Sequence, residues 1–242
     1  MDRKQIYTWL CNKYSNSYEQ LLEATMKPTL EKQYGRGGEC IHRGYYCPSP
    51  VKDILIGNLN RGKLLKTQRS AGTADYCFYF DKDKLVMVDK YAVFPERGRV
   101  LYSREFILRD GDIEIASTYE FRRSGHIELT GISICKFIPI NKVQRSSGKL
   151  LQYIHLLFFV NTIDGITFTP KSVETNIETY AYNNYGHLVS SHIDIVSPGY
   201  TDMLSYCYEC DEEGRLLSYK YADEAFASSP GYEIPESKRR IV

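Results

Sequence analysis

The sequence predicts an α+β fold, an N-terminal helical segment packed on a large curved antiparallel β-meander that closes as a partial barrel or two packed sheets. Three observations carry that expectation. Helical spacing of apolar residues is confined to residues 3–25, while from about residue 76 onward the apolar residues alternate with polar ones. No helical period intervenes after residue 75, so the long crossovers that parallel strands need are missing and an antiparallel order follows. The chain also holds 21 tyrosines against one tryptophan, and tyrosine suits a half-buried pleated surface where its ring packs and its hydroxyl stays wet.

Along the chain, Ile6, Trp9, Leu10, Tyr14, Leu21 and Leu22 recur near helical spacing, and Ser15-Asn16-Ser17 marks a break between two short amphipathic helices. Pro28 and the stretch "YGRGGE" at 34–39 then end regular structure, which makes 26–75 a loop segment expected to cover part of the sheet or cap one end. The clearest strand is "DIEIASTYEF", where Ile113, Ile115, Ser117, Tyr119 and Phe121 share one face and Glu114, Ala116, Thr118 and Glu120 the other. That pattern reads as one face toward a core. Further strands are expected at 76–80, 85–93, 100–109, 127–138, 152–160, 166–169, 176–182, 188–196, 204–209 and 215–221. A change of period and charge near residue 75 divides an N-terminal basic segment, 1–75, from a β-hairpin domain, 76–242, unless the whole forms one domain.

Three stretches align on a glycine: "YEFRRSGHIEL" at 119–129, "YAYNNYGHLVS" at 180–190 and "YCYECDEEGRLLSY" at 206–219. Each is an aromatic pair, a polar turn, a glycine that supplies positive φ, then a polar residue and Ile or Leu, which is the chemistry of a hairpin. Tyr182-Asn183-Asn184-Tyr185-Gly186-His187-Leu188 and Cys210-Asp211-Glu212-Glu213-Gly214-Arg215-Leu216 resemble the YD (Rhs-type) repeat, with Asn for Asp in the first and Cys for Tyr in the second. The resemblance covers those segments alone and implies hairpins and, by analogy, a place among toxin and immunity systems.

Formal charge is only +1, yet residues 1–70 carry a net +6 and the remainder −5. A surplus of that size does not demand nucleic acid as a partner. Seven irregularly spaced cysteines fit a reducing compartment better than a disulfide framework. The start "MDRKQIYTWL" lacks a secretory pattern, and the apolar run "YIHLLFFV" at 153–160 is far shorter than the roughly 20 residues of a membrane-spanning helix. A soluble cytoplasmic protein is expected, without membrane contact; composition leaves its oligomeric state open.

Several stretches carry candidate chemistry. Gly57 through Lys63 in "VKDILIGNLNRGKLLK" has the glycine and lysine spacing of a phosphate-binding P-loop, but Leu64 stands where a metal-binding hydroxyl is needed. Asp89, at the end of "KLVMVD", would be the matching metal assistant. Cys40, His42 and Cys47 have the ligand types for zinc without a familiar spacing, and Cys47 with His42 has the makings of a thiolate–imidazole pair that lacks an orienting third group. No cofactor is expected. Lys84, His126, His187 and Arg215 each follow a turn and are expected to form a basic row on one face, with Asp112 as the exception. His155, inside an apolar strand, reads as a hydrogen-bonded core histidine. Exposed tyrosines in "RGYY" and "YNNY" suit recognition of proteins or sugars.

The leading functional expectation is a non-enzymatic interaction protein of bacterial type, immunity-like, that binds and neutralises a protein partner. The alternative is an enzyme or ligand-binding protein with its site where the basic 34–70 segment meets the sheet, drawing on Arg36, His42, Arg43, Tyr45, Tyr46, Cys47 and Lys63. Nucleic-acid binding through the same segment is the third.

Overall fold

The computed structural model describes residues 17–38, 40–57, 60–66, 68–138, 149–158, 173–197, 199–222 and 231–242. It corrects the α+β expectation, since strands make up 58% of the described residues and helical residues 11%. Among the described residues thirteen strands form one antiparallel open sheet, neither a barrel nor two packed sheets. They are β1 (Glu31–Arg36), β2 (Lys63–Leu64), β3 (Tyr76–Asp81), β4 (Lys84–Phe94), β5 (Gly98–Asp110), β6 (Ile113–Phe121), β7 (Ile127–Phe137), β8 (Leu150–Phe158), β9 (Val173–Tyr182), β10 (Leu188–Ser197), β11 (Tyr200–Cys210), β12 (Leu216–Tyr221) and β13 (Tyr232–Glu233). From β3 to β13 the spatial order follows the chain, and β1 then β2 lie beyond β3. The expected strand at 166–169 and the helical spacing of residues 3–14 lie outside the described residues.

Helical structure is a minor part for identifiable reasons. The "SNS" break starts a helix, because Ser17 caps α1 (Tyr18–Thr25) by accepting the Gln20 backbone N–H on its Oγ at 3.3 Å. Among the described residues one further α-helical turn follows, α2 (Lys52–Leu55), beside short 3-10 turns at Gly44–Tyr46, Gln68–Thr73 and Glu236–Lys238. Residues 31–36, expected as loop, instead pair with β3 in register from Glu31–Phe80 to Gly35–Tyr76. Their exposed, charged side chains hide a strand that is held through its backbone at the sheet margin.

Both faces of the sheet are covered around β3, which explains why "YCFYFD" is buried at five successive positions. On what we call the outer face, α1 lays Leu21 and Tyr18 over Cys77, Tyr79, Met87, Phe106 and Tyr119. On the inner face, a strap that includes residues 40–57 and 60–66 covers Tyr76, Phe78 and the strands beyond, with Gly44 against the Tyr76 ring and Tyr46 edge-on to Phe78. The glutamate face of β6, expected to be solvated, is therefore interior, with Glu114 and Ala116 both buried. A second strap, residues 231–242, pairs along β12 and buries Ile234 in the core cluster that also holds Val51 and Ile54 of the first.

Three hairpins share one turn geometry. Gly125, Gly186 and Gly214 have φ of 85, 80 and 78°, and in each the glycine N–H donates to the carbonyl three residues back while the first turn residue donates across the turn. Alternating strand direction sets which end each turn occupies. Lys84, Asp112, His187 and Arg215 lie at one end of the sheet and His126 at the other, so the expected basic row is broken. No described helix is long and apolar enough to cross a membrane.

Gly62 shows how tightly the strap is seated: at φ 80°, an added Cβ would lie 2.5 Å from the Gly37 carbonyl oxygen and 2.6 Å from that of Arg36. Gly98, at φ 68°, has nothing within 4 Å. Gly98→Ala is expected to cost about 1–2 kcal/mol, the left-handed strain alone. Gly62→Ala should cost about 3 kcal/mol or more, because backbone overlap adds to that strain. Urea unfolding of both variants decides, and equal losses would mean the strap is not packed as described.

Candidate functional site

The inner face is organised in rows of cross-strand neighbours, and two of its β-bulges shape a cleft. Val88, Glu105, Thr118, Gly131 and Leu157 succeed one another across β4 to β8. They floor a cleft of about 420 Å³ that opens between the sheet and strap residues 40–43. In its floor, Gly131 stands between Thr118 and Leu157, and a Cβ there would come 3.8 Å from His155 Nε2. It would also lie 3.3 Å from the Leu156 carbonyl oxygen and 3.7 Å from Thr118 Cβ, so the absent side chain lets these neighbours close in on the floor. Register shifts on either side insert one extra residue each, Tyr102 in β5 and Thr130 in β7, and both line the cleft. Bulges re-aim side chains beside functional sites.

The wall contributed by the strap rests on Arg43, a 5% exposed residue held at φ 60°, a conformation that costs a non-glycine residue about 1–2 kcal/mol. Its guanidinium occupies that position because every side of it is engaged. Nε donates to Glu105 Oε2 at 2.8 Å, Nη2 to Glu105 Oε1 at 3.2 Å and Ser133 Oγ at 3.3 Å, and Nη1 to Glu114 Oε1 at 2.5 Å. Arg109 completes Glu114 at 2.6 Å. Burial by itself would push the Glu105 carboxyl up, but Arg43 and His42 outweigh it and hold the group well below the usual carboxylate range.

His42 is fixed at both ring nitrogens. Its Nε2 lies 2.8 Å from Glu105 Oε1, and since a carboxylate only accepts, this nitrogen carries the proton. In the neutral ring Nδ1 then accepts from the Tyr153 hydroxyl at 2.6 Å. Burial raises the Tyr153 hydroxyl far above its ordinary value and keeps it a donor. The His155 ring stacks on His42 with centroids 4.4 Å apart. It corrects the expectation of a hydrogen-bonded core histidine: His155 is partly exposed, lines the cleft, and among the described residues has stacking partners but no hydrogen bond. Burial first, then the neighbouring His42, lowers its pKa well below 6.5, so it stands in the cleft as a neutral imidazole.

Deeper under the strap, Glu178, 0% exposed, accepts from Ser49 Oγ at 2.6 Å, Lys52 Nζ at 3.1 Å and the Tyr180 hydroxyl. Asp53, 1% exposed, accepts from Arg61 at 2.9 Å and from Arg240 of the second strap at 2.5 Å. Much of the positive charge of the basic segment is thus directed at the molecule's own acids. That leaves a weaker outward field for phosphate than the residue count implied.

Among the residues expected to form a site, His42 and Arg43 come together at the cleft with Cys40 beside them, and the rest do not join them. Arg36 is exposed and donates to the Thr73 carbonyl at 3.0 Å. Tyr45 is exposed, and Tyr46 packs on Phe78 and Phe80 while its hydroxyl donates to Gln33 at 2.6 Å. Lys63 is an exposed strand residue opposite Arg36. His126 lies 3.9 Å from Glu128, His187 packs against Gly214, and Arg215 pairs within its own turn to Asp211 at 2.7 Å. Cys47 makes no pair with His42, whose nitrogens are already engaged, and burial pushes its thiol up to about 11, away from a thiolate. Cys40 is exposed and Cys47 buried; among the described residues no three histidine, cysteine or carboxylate side chains group as metal ligands. The P-loop spacing is corrected as well. Lys63–Leu64 is a strand, so no helix N-terminus faces the turn, and Asp89 is buried against Arg104 and Tyr79.

Sequence reasoning missed Glu105, Glu114, Glu178, Tyr153 and Gly131. The three glutamates sit on strand faces that alternation assigns to solvent, and only the landing of the strap makes those faces interior. Compared with known proteins, the sequence matches no family model, and no curated protein matches it.

Two predictions follow from this electrostatic arrangement. Arg43→Met strands two buried carboxylates and should cost about 3–5 kcal/mol in chemical unfolding. Adding Glu105→Gln and Glu114→Gln should recover part of that loss, whereas a single-variant cost below about 1 kcal/mol would mean the network does not hold the strap. The second concerns pH. Below about 6.5 the unfolded chain protonates His155 while the folded chain does not, so stability falls as pH drops through that value. Between about pH 8 and about pH 5.5 the loss from this group should approach 1.4 kcal/mol, and His155→Gln should remove that component of the slope. Glu105 acts lower, its contribution being present above about pH 4.5 and lost below it.

Proposed function

We propose that this protein is a binding protein whose recognition site is the cleft between strap residues 40–43 and the inner face of β4 to β8, and that it acts by recognition rather than by bond-making chemistry. One observation carries the reading: the acid–base groups of the strap wall are engaged with each other. Both nitrogens of His42 and both oxygens of Glu105 are taken. A wall so satisfied is preorganised, which lowers the ordering cost of binding, but it has no free pair to move a proton. The volume falls within the ~300–1,000 Å³ usual for small-ligand sites.

A protein partner that the chain binds and neutralises is the second reading. It is favoured by the outer face of β10 and β11, where His192 and the 64% exposed Met203 lie on the side opposite buried Ile193 and Tyr206.

The test of the cleft is a fragment screen by amide chemical shifts on the full chain. Hits should cluster at Thr118, Gly131 and His155 and be lost in Gly131→Leu. Hits confined to the outer face of β10 and β11 would transfer the function to the second reading.

A further inference from the structure

We infer that the cleft takes a neutral, hydroxyl-rich ring, a monosaccharide. The inference rests on the cleft being the recognition site and names what it recognises.

Its ionic groups argue against a charged ligand. Arg43 and Glu105 neutralise one another, and Arg122 at the rim is paired with Glu120 at 2.8 Å and Glu128 at 2.6 Å. The Lys90 ammonium lies 5.9 Å from the centre of the Tyr102 ring. A ligand carboxylate or phosphate drawn to either arginine would have to break one of these ion pairs and leave an acid of the protein uncompensated. A neutral ligand meets no such cost.

What remains open to a ligand can both donate and accept. His155 offers a ring nitrogen that among the described residues has no hydrogen bond. Ser103 and Thr118 offer hydroxyls, Thr130 offers a hydroxyl oxygen whose proton goes to the Thr118 carbonyl at 3.4 Å, and Glu120 has lone pairs beyond those its arginine uses. A ring bearing several hydroxyls, each at once donor and acceptor, matches that set better than a ligand that only donates or only accepts. The floor supplies the other half of such recognition. Gly131 puts no side chain between Thr118 and Leu157, and the cleft is lined by the His155 ring, stacked on His42, and by Tyr102, aromatic faces against which the C–H face of a sugar ring can lie.

The experiment titrates the full chain with glucose, galactose, mannose and N-acetylglucosamine, with glucuronate and adenosine as the charged and planar comparisons, and follows the Thr118, Gly131 and His155 amides. At least one neutral sugar should saturate these shifts. Glucuronate should bind about tenfold more weakly, equivalent to one unfavourable charged contact. His155→Ala and Gly131→Leu, each confirmed folded by its amide spectrum, should weaken the sugar about tenfold through loss of one hydrogen bond or through a side chain added to the cleft floor. If glucuronate or adenosine saturates the cleft more tightly than every neutral sugar, the sugar assignment is overturned while the cleft stands. Should no sugar shift the cleft while fragments still bind there, the assignment also fails and the cleft reading survives; if fragments do not bind either, both fall.

Discussion

The seating of Arg43 between two sheet carboxylates is the interaction on which the rest of the inner face depends. A guanidinium in a dry interior is tolerable only with its charge balanced and its donors placed, and Glu105 with Glu114 does both across two adjacent strands. This contact brings the strap down onto the sheet and offsets the strain of the left-handed backbone at Arg43. With Arg43 in place, His42 falls between Glu105 and Tyr153, and the cleft acquires its wall.

Two further ionic clusters carry the same logic along the strap. Glu178 gathers Ser49, Lys52 and Tyr180, and Asp53 gathers Arg61 and Arg240. The second joins the two straps, so that the end of the chain locks a segment far from it in sequence. Among the described residues no buried side-chain nitrogen or oxygen lacks a hydrogen-bond partner. A polar interior of this kind confers geometry more than net stability, because each charge brought in has a desolvation cost that its partners largely offset. Geometry is what a recognition site needs.

The cleft itself comes from irregularities in an otherwise regular sheet. A row of five side chains would form a continuous floor if Gly131 carried one, and Tyr102 and Thr130 would stay in step with their neighbours without the register shifts that displace them. One absent side chain and two extra residues make a concave surface out of a meander.

Alternation and turn chemistry, both local, determined most of the sheet by themselves. The strands from β3 to β12 were legible from period two and their punctuating glycines, and the three turns with positive φ from the glycine position alone. β1, β2 and β13 were not, because short marginal strands are held by backbone pairing that leaves no apolar pattern in the side chains. His42 and Arg43 were legible as candidates by residue type; their partners were not. Glu105, Glu114 and Tyr153 lie between 62 and 111 residues away from them in the chain. Which face of a strand is covered depends on where a distant strap lands, and that is a long-range event with no local periodicity to announce it. The tertiary structure alone decided that a face written as polar would be interior, and with it the position of the cleft.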